Sequence, residues 1–465
     1  MADSSSKRAI NSISRGRKSK TRKGVPVVED DRISDLPDSV LVHILSFLPT
    51  KDAVVTGILS KRWEFLWTNV TNLQFVCPNI PAPANREKKM GFSNFVNKVF
   101  VQRSDRNSGS IDKFTLVNGN AEIDLNDAQS WVDTAISLGV QKLELELTFV
   151  TGYWFILPPS VFTSKTLVVL ELCGGVIIYV PNSVCIPNLK TLNLDSVMYL
   201  GDESLCKLIS TSLVLENLTL LMTEFDNVEK WRISAPALKR LKIAFDSNDE
   251  PFPGLDSMLE INAPELQYLD IRYHNSKRLI VTNCGNLIEA NVDIGNTEWD
   301  NPTEDLIKFF EAINNVKFLS INVVDIYREP ELLSTKFLKL THLTMRTRCA
   351  WHPFLRWFLE SADNLEVLTF KEDPRYLDCA MLTEPESVPR CFSSCLGAIS
   401  VENWYPTKEG FEMLKFFLKN GKVLKTLDIS SPWKIDKRAM DIILQKTSEF
   451  PKASDMCEIT IHTKR

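Results

Sequence analysis

This sequence is poor in the patterns from which active sites are built. Its five histidines, His43, His274, His342, His352 and His462, lie too far apart to outline a site. No GxGxxG, P-loop, GxSxG or HExxH occurs, so the usual phosphate cradles, nucleophile elbow and zinc helix are missing. The ten cysteines form no CxxC, and the nearest pair, Cys391 and Cys395, has no second pair at zinc-like spacing. They read as small apolar residues in a reducing compartment, and Cys391 as a buried structural thiol rather than a nucleophile. Apolar runs such as GGVIIYV fall far below the roughly eighteen residues of a membrane helix. The polar, charged residues after Met1 do not form a secretory signal. The expectation is a protein of the nucleus and/or cytoplasm with no catalytic residue, metal, cofactor or membrane segment.

Charge of one sign is scarce only locally. Residues 1–24 hold eight Lys and Arg against Asp3, a local +7, so the rest carries −12 of the total −5. A mildly acidic body argues against nucleic acid as its partner. The tail has too little apolar content to offset ordering entropy and reads as disordered. Its cluster Arg15, Arg17, Lys18, Lys20, Arg22 and Lys23 fits either a nuclear import signal or a solvated basic arm.

What is present begins with LPDSVLVHILSFLPTKDAVVTGILSKRW, residues 36–63. Pro37 suits a first helical turn, and Val40, Leu41, Ile44, Leu45 and Leu48 form a wide stripe ended by Pro49. Thr50 opens a second helix carrying Ala53, Val54, Val55, Ile58 and Leu59. SKRWEFLW then sets Trp63 and Trp67 at i and i+4. Three short helices with such stripes have more apolar surface than they can hide from water among themselves, which marks a partner interface.

In their order, Leu-Pro-Asp, Ile-Leu-x-x-Leu-Pro, Thr-Lys-Asp-Ala and Ser-Lys-Arg-Trp resemble an F-box, from Asp31 to Phe75. The resemblance implies docking on a Skp-type adaptor and, through it, a cullin scaffold. It implies adaptor contacts at Leu36, Pro37, Ile44, Leu45, Leu48, Pro49, Val54, Ile58 and Trp63. Several of these have the alternative of packing the chain's own helices.

Downstream, GFSNFVNKVF is amphipathic and suits a helix sealing the first end of the region beyond it. From Ile111, apolar residues at positions 1, 4 and 6 recur in fourteen units, from IDKFTL (111) to MCEITI (456), at steps of 21 to 32 residues. Eight units, among them LKTLNL (189), LQYLDI (266) and LKTLDI (424), have Leu at 1 and 4 and a large apolar residue at 6, where composition alone gives roughly two. The pattern is that of a leucine-rich repeat. A short strand per unit turns positions 4 and 6 inward, and a return segment closes the coil, helical in PTEDLIKFFEAI and TKEGFEMLKFFLKN. The expected ninth-position Asn is mostly replaced, as by Gly175 and Val197, so the solenoid is irregular.

Residues 386–430 resemble the FBD region that ends many plant F-box proteins, through Val388, Pro389, Cys391, Leu414, Phe417, Leu418 and Asn420. The Trp usual before Val-Pro is absent. The implied class is α/β, a small helical F-box followed by an irregular leucine-rich-repeat solenoid. Its plan is a tail (1–30), F-box (31–75), connector with capping helix (76–110), repeats (111–385), then the FBD region with terminal repeats and cap (386–465). Positions 3, 5 and 7 face outward on the concave side. They make Arg240, Lys242, Tyr268, Asp270, Arg272, Phe318, His342 and Arg346 candidate contacts for a protein substrate, or simply a solvated face. The functional expectation is a non-catalytic substrate receptor of an SCF-type ubiquitin ligase. The alternatives are an interaction scaffold and a small-ligand co-receptor.

Overall fold

The computed structural model describes residues 33, 35–77, 86–119, 123–148, 154–201, 203–222, 230–245, 258–272, 278–293, 302–323, 334–347, 352–372, 387–432 and 437–463. The basic cluster from Arg15 to Lys23 lies outside them, as does the Pro-rich part of the connector.

Every one of the fourteen repeat motifs opens a strand, and all fourteen join one parallel sheet in sequence order, ending at Glu458–Thr463. A fifteenth strand, Asn72–Val76, precedes them and pairs with Lys113–Val117. It fits the same rule, with Val70, Leu73 and Phe75 at positions 1, 4 and 6, all buried. The sheet therefore starts inside the stretch that resembles an F-box, and the connector drawn from residue 76 begins within a strand.

Inward residues of neighbouring strands stack in register, for example Leu241 beside Leu218 and Leu269, and Ile243 beside Leu220 and Ile271. These rows merge into one apolar core that runs without interruption from Leu41 to Cys457. The return segments are of two kinds. Several units carry helices, including Pro302–Ile313 and Lys408–Asn420 as the sequence predicts. In the six units that start between residues 140 and 266, short strands lie on the return side. They form two three-stranded parallel sheets, Phe155–Ile156 with Val176–Ile178 and Met198–Tyr199, and Lys230–Ser234 with Met258–Asn262 and Arg278–Thr282. At the first of them Gly174 takes φ +81, and a Cβ there would sit 2.3 Å from Leu147 O, so only glycine fits.

At the N-terminal end α1 (Asp38–Leu45) and α2 (Thr50–Val55) precede a 3₁₀ segment, Trp63–Asn69, that buries both Trp63 and Trp67. These elements cover the outer edge of Asn72–Val76, where Gln74 N–H donates to Thr50 Oγ1 at 2.7 Å. The amphipathic stretch lies in α3 (Arg86–Asp105), which is the return of the first coil rather than a lid on its end. Phe95 and Phe100 of α3 pack on Phe75 at 6.1 and 6.2 Å between ring centres. Arg103 of α3 is buried and donates to Val70 O (2.6 Å), Gly109 O (3.3 Å) and Thr68 O. No helix among the described residues is long and apolar enough to cross a membrane.

Candidate functional site

Two surfaces carry chemistry that a partner can use. The first is built by the N-terminal helices. Each is short, so each has one side on the core and the other in water. Leu41 and Leu45 of α1 point inward, as do Thr50 and Ala53 of α2. Arg62 fastens the third helical segment to the start of α1. Its guanidinium holds Asp38 Oδ1 through Nε and Nη2 (2.8 and 2.6 Å) and also donates to Leu36 O. The pair is solvent-facing and adds little stability, but it sets the angle between the segments.

Much of what else remains outside is apolar. Ile33, Val40, Ile44, Phe47, Leu48, Val55, Ile58 and Leu59 are all exposed, Phe47 to 75% and Ile58 to 82%. Exposed apolar groups this dense over 27 residues are an interaction surface rather than ordinary scatter. Of the predicted contacts, Pro37, Ile44, Leu48, Pro49 and Ile58 are on this surface, and Leu36 and Val54 are half-buried at its margin. Leu45 and Trp63 are not on it. At 1% and 7% exposure they belong to the chain's own core, because α1 and the 3₁₀ segment each need an inward anchor. Sequence reading did not single out Val40, Phe47, Val55 and Leu59, which are also exposed here. Their signal was stripe width: apolar residues covering more than half a helix cannot all turn inward.

The second surface is the outward face of the long sheet, where register puts positions 3, 5 and 7 in continuous rows. The position-3 row reads Arg240, Tyr268, Glu289, Phe318, His342 across adjacent strands. Arg240 sits 4.1 Å over the Tyr268 ring, and Phe318 and His342 are 4.8 Å apart between ring centres. Lys242, Arg272 and Arg346 occupy the rows beside it. Asp270 departs from expectation. It is nearly buried and accepts from Asn291 Nδ2 at 3.0 Å, with Arg272 Nε 3.9 Å away. It organises the face and is not open to a partner. Nearer the N-terminus the face is a charge ladder: Lys113 and Lys142 reach Glu144 at 2.8 and 2.7 Å, and Lys142 continues to Glu171 at 3.1 Å. Burial raises the Glu144 carboxyl, but bonds from Lys113, Lys142 and Thr115 outweigh it and hold it at about 2.

The FBD-like residues are mostly structural. Cys391, Leu414, Phe417 and Leu418 are buried, and Asn420 Nδ2 closes the helix on Phe416 O at 2.9 Å. Val388 is exposed. Burial pushes the Cys391 thiol up to about 12, which removes its nucleophilic form at neutral pH.

Comparison with known proteins gives these surfaces a context. Residues 33–75 match the family model of the F-box domain. Residues 110–460 match that of the At1g61320/AtMIF1 LRR domain. The chain is 33% identical over 436 residues to the FBD-associated F-box protein At4g10400 of Arabidopsis thaliana, covering 92% of this chain and 99% of that one. It is 31% identical over 452 residues to the F-box/FBD/LRR-repeat protein At5g56420 of the same organism, covering 92% and 98%.

Proposed function

The chain belongs to the F-box/FBD/LRR-repeat family, and from that premise we propose that it is the substrate-recognition subunit of an SCF-type ubiquitin ligase. F-box domains in general bind Skp-type adaptors. The observation that supports the reading here is the apolar face around Ile44, Phe47, Leu48, Ile58 and Leu59, left in water by helices whose other sides are already packed. An adaptor seated there, over Pro37, Pro49 and Val55 as well and with Leu36 and Val54 at the margin, would link the chain to a cullin. The repeats would present a protein substrate on the outward face, centred on Arg240, Tyr268, Phe318 and His342, with Lys242, Arg272 and Arg346 beside them. Cation and aromatic groups together are typical of residues that dominate binding energy.

In this role the chain performs no bond chemistry itself. It raises the effective concentration of a substrate lysine near activated ubiquitin. Two further elements complete the proposal. The tail cluster Arg15–Lys23 directs nuclear import, which a fusion lacking residues 1–24 tests by its location. Asp270 holds Asn291 and Arg272 in place behind the contacts.

The test uses cells expressing the parent or Phe47→Asp/Ile58→Asp, both with intact repeats. Proteins bound by both, but accumulating and losing ubiquitin only with the double variant, are the expected substrates. Arg240→Ala/Phe318→Ala should release them while keeping the adaptor. An identical ubiquitination pattern with and without the exposed face would contradict the proposal.

A further inference from the structure

The two ends of the long sheet are finished differently. At the first strand, the outer edge is covered by the N-terminal helices and Gln74 N–H is bonded to Thr50 Oγ1. At the last, Glu458–Thr463, no described residue pairs with the outer edge. The cap expected over this end is not found among the described residues. The last coil shows the consequence. Position 1 is buried in every other unit, but here it is Met456, 78% exposed. Positions 4 and 6 are fully buried in the other fourteen strands, but here Ile459 and Ile461 are only half-buried. The helix of the same coil, Lys437–Ser448, leaves Ile442 and Leu444 exposed. The strand has no proline and no inward-pointing charge, and its one charged side chain, Glu458, lies on the outward face.

From the pattern of this strand we infer that it pairs with the same strand of a second copy of the chain. Glu458 donates its N–H back to Lys425 O on the preceding strand. Alternation therefore turns the N–H and C=O groups of Ile459 and Ile461 to the open edge. Two such edges meet antiparallel about a two-fold axis through Thr460. In that register Ile459 and Ile461 of the two copies face each other as hydrogen-bonded pairs, exchanging four backbone bonds in all. On the outward face Thr460 meets Thr460, and each Glu458 carboxylate meets the other copy's His462 imidazole.

Polarity, burial and backbone direction thus agree at one register. The half-buried isoleucines gain cover on the inner face and opposite groups meet on the outer. A two-fold contact of this kind is closed. Because the other sheet edge lies under the N-terminal helices, pairing stops at a dimer and does not run on as a filament. The inference is independent of whether an adaptor binds.

The experiment is sedimentation of the full chain over a concentration series to tens of micromolar. The parent should double its mass. Ile461→Pro removes an N–H that faces only the open edge, so it should stay folded by circular dichroism and sediment as a monomer. His462→Glu sets two carboxylates against each other at both symmetry-related pairs and should weaken association roughly tenfold. Glu458→His/His462→Glu restores the pairing and should restore the parent mass. Thr460→Cys places two thiols about 4.5 Å apart between Cα atoms, and under oxidation should give a covalent dimer that the parent does not. A monomeric parent overturns the inference, as does a folded Ile461→Pro that remains dimeric through some other face. Should Ile461→Pro fail to fold, unchanged association of His462→Glu overturns it equally.

Discussion

Ile44 and Leu45 are adjacent in α1, yet one side chain is exposed and the other is sealed in the core. Truncating each therefore has opposite readouts. Leu45→Ala should cost about 2–5 kcal/mol of stability in denaturant titration, since it opens a cavity among packed groups. Ile44→Ala should stay within about 0.5 kcal/mol, and its loss should appear only as weaker partner binding. Equal destabilisation by the two would refute this division of α1.

A second residue predicts a pH effect. Glu372 is buried at the end of Val367–Glu372, and burial pushes its carboxyl up to about 8, only partly offset by the N–H it accepts from Tyr405. The folded chain thus keeps a proton that the unfolded chain releases above its ordinary value of 4.5. Stability from this site is complete below about pH 4.5 and is lost as pH rises toward 8. Glu372→Gln still accepts the Tyr405 N–H and cannot ionise. It should flatten that decline and be more stable than the parent at pH 8, by on the order of a few kcal/mol. Parallel pH profiles for the two proteins would show that Glu372 does not titrate in this way.

At the scale of elements, α3 joins the N-terminal helices to the sheet. Arg103 offers its guanidinium to carbonyls at Thr68, Val70 and Gly109. Arg103→Ala strands those carbonyls and leaves a gap. Hydrogen exchange should accelerate over Trp63–Asn69 and Asn72–Val76, while strands from His342 onward keep their protection. Uniform acceleration along the chain would mean that Arg103 supports the whole solenoid and not this junction.

Strands were the most legible elements because each of the fourteen motifs states its own inward pair. Val70, Leu73 and Phe75 obey the same rule but escaped notice, since α3 and its loop delay the next unit to Ile111. The two short back sheets were illegible for a different reason. Their strands are only two to five residues long, and apolar spacing over so short a run does not separate a strand from a turn of helix. On the N-terminal face, the exposure of Ile44, Leu48 and Ile58 was readable, whereas Leu45 and Trp63 were not readable as core. The same apolar side chain serves an interior or an interface, and only packing partners distant in sequence decide between them.

For the whole molecule, the continuous core from Leu41 to Cys457 means that the N-terminal helices are the first layer of the solenoid and not a separate bead. Leu45, Trp63 and Trp67 face inward toward residues of the sheet and α3. A fragment of residues 33–70 should therefore be largely unfolded by circular dichroism in the absence of a partner. A folded fragment would contradict the shared core.

On the proposed reading a Skp-type adaptor covers the exposed N-terminal face. Calorimetric titration of purified adaptor into the full chain tests it most directly, with Phe47→Asp/Ile58→Asp measured beside the parent. Binding to the parent should be one-to-one, with a loss of at least a hundredfold in the double variant, whose repeats still unfold at the parent's denaturant midpoint. No binding by the folded parent, or equal binding by both proteins, would contradict it.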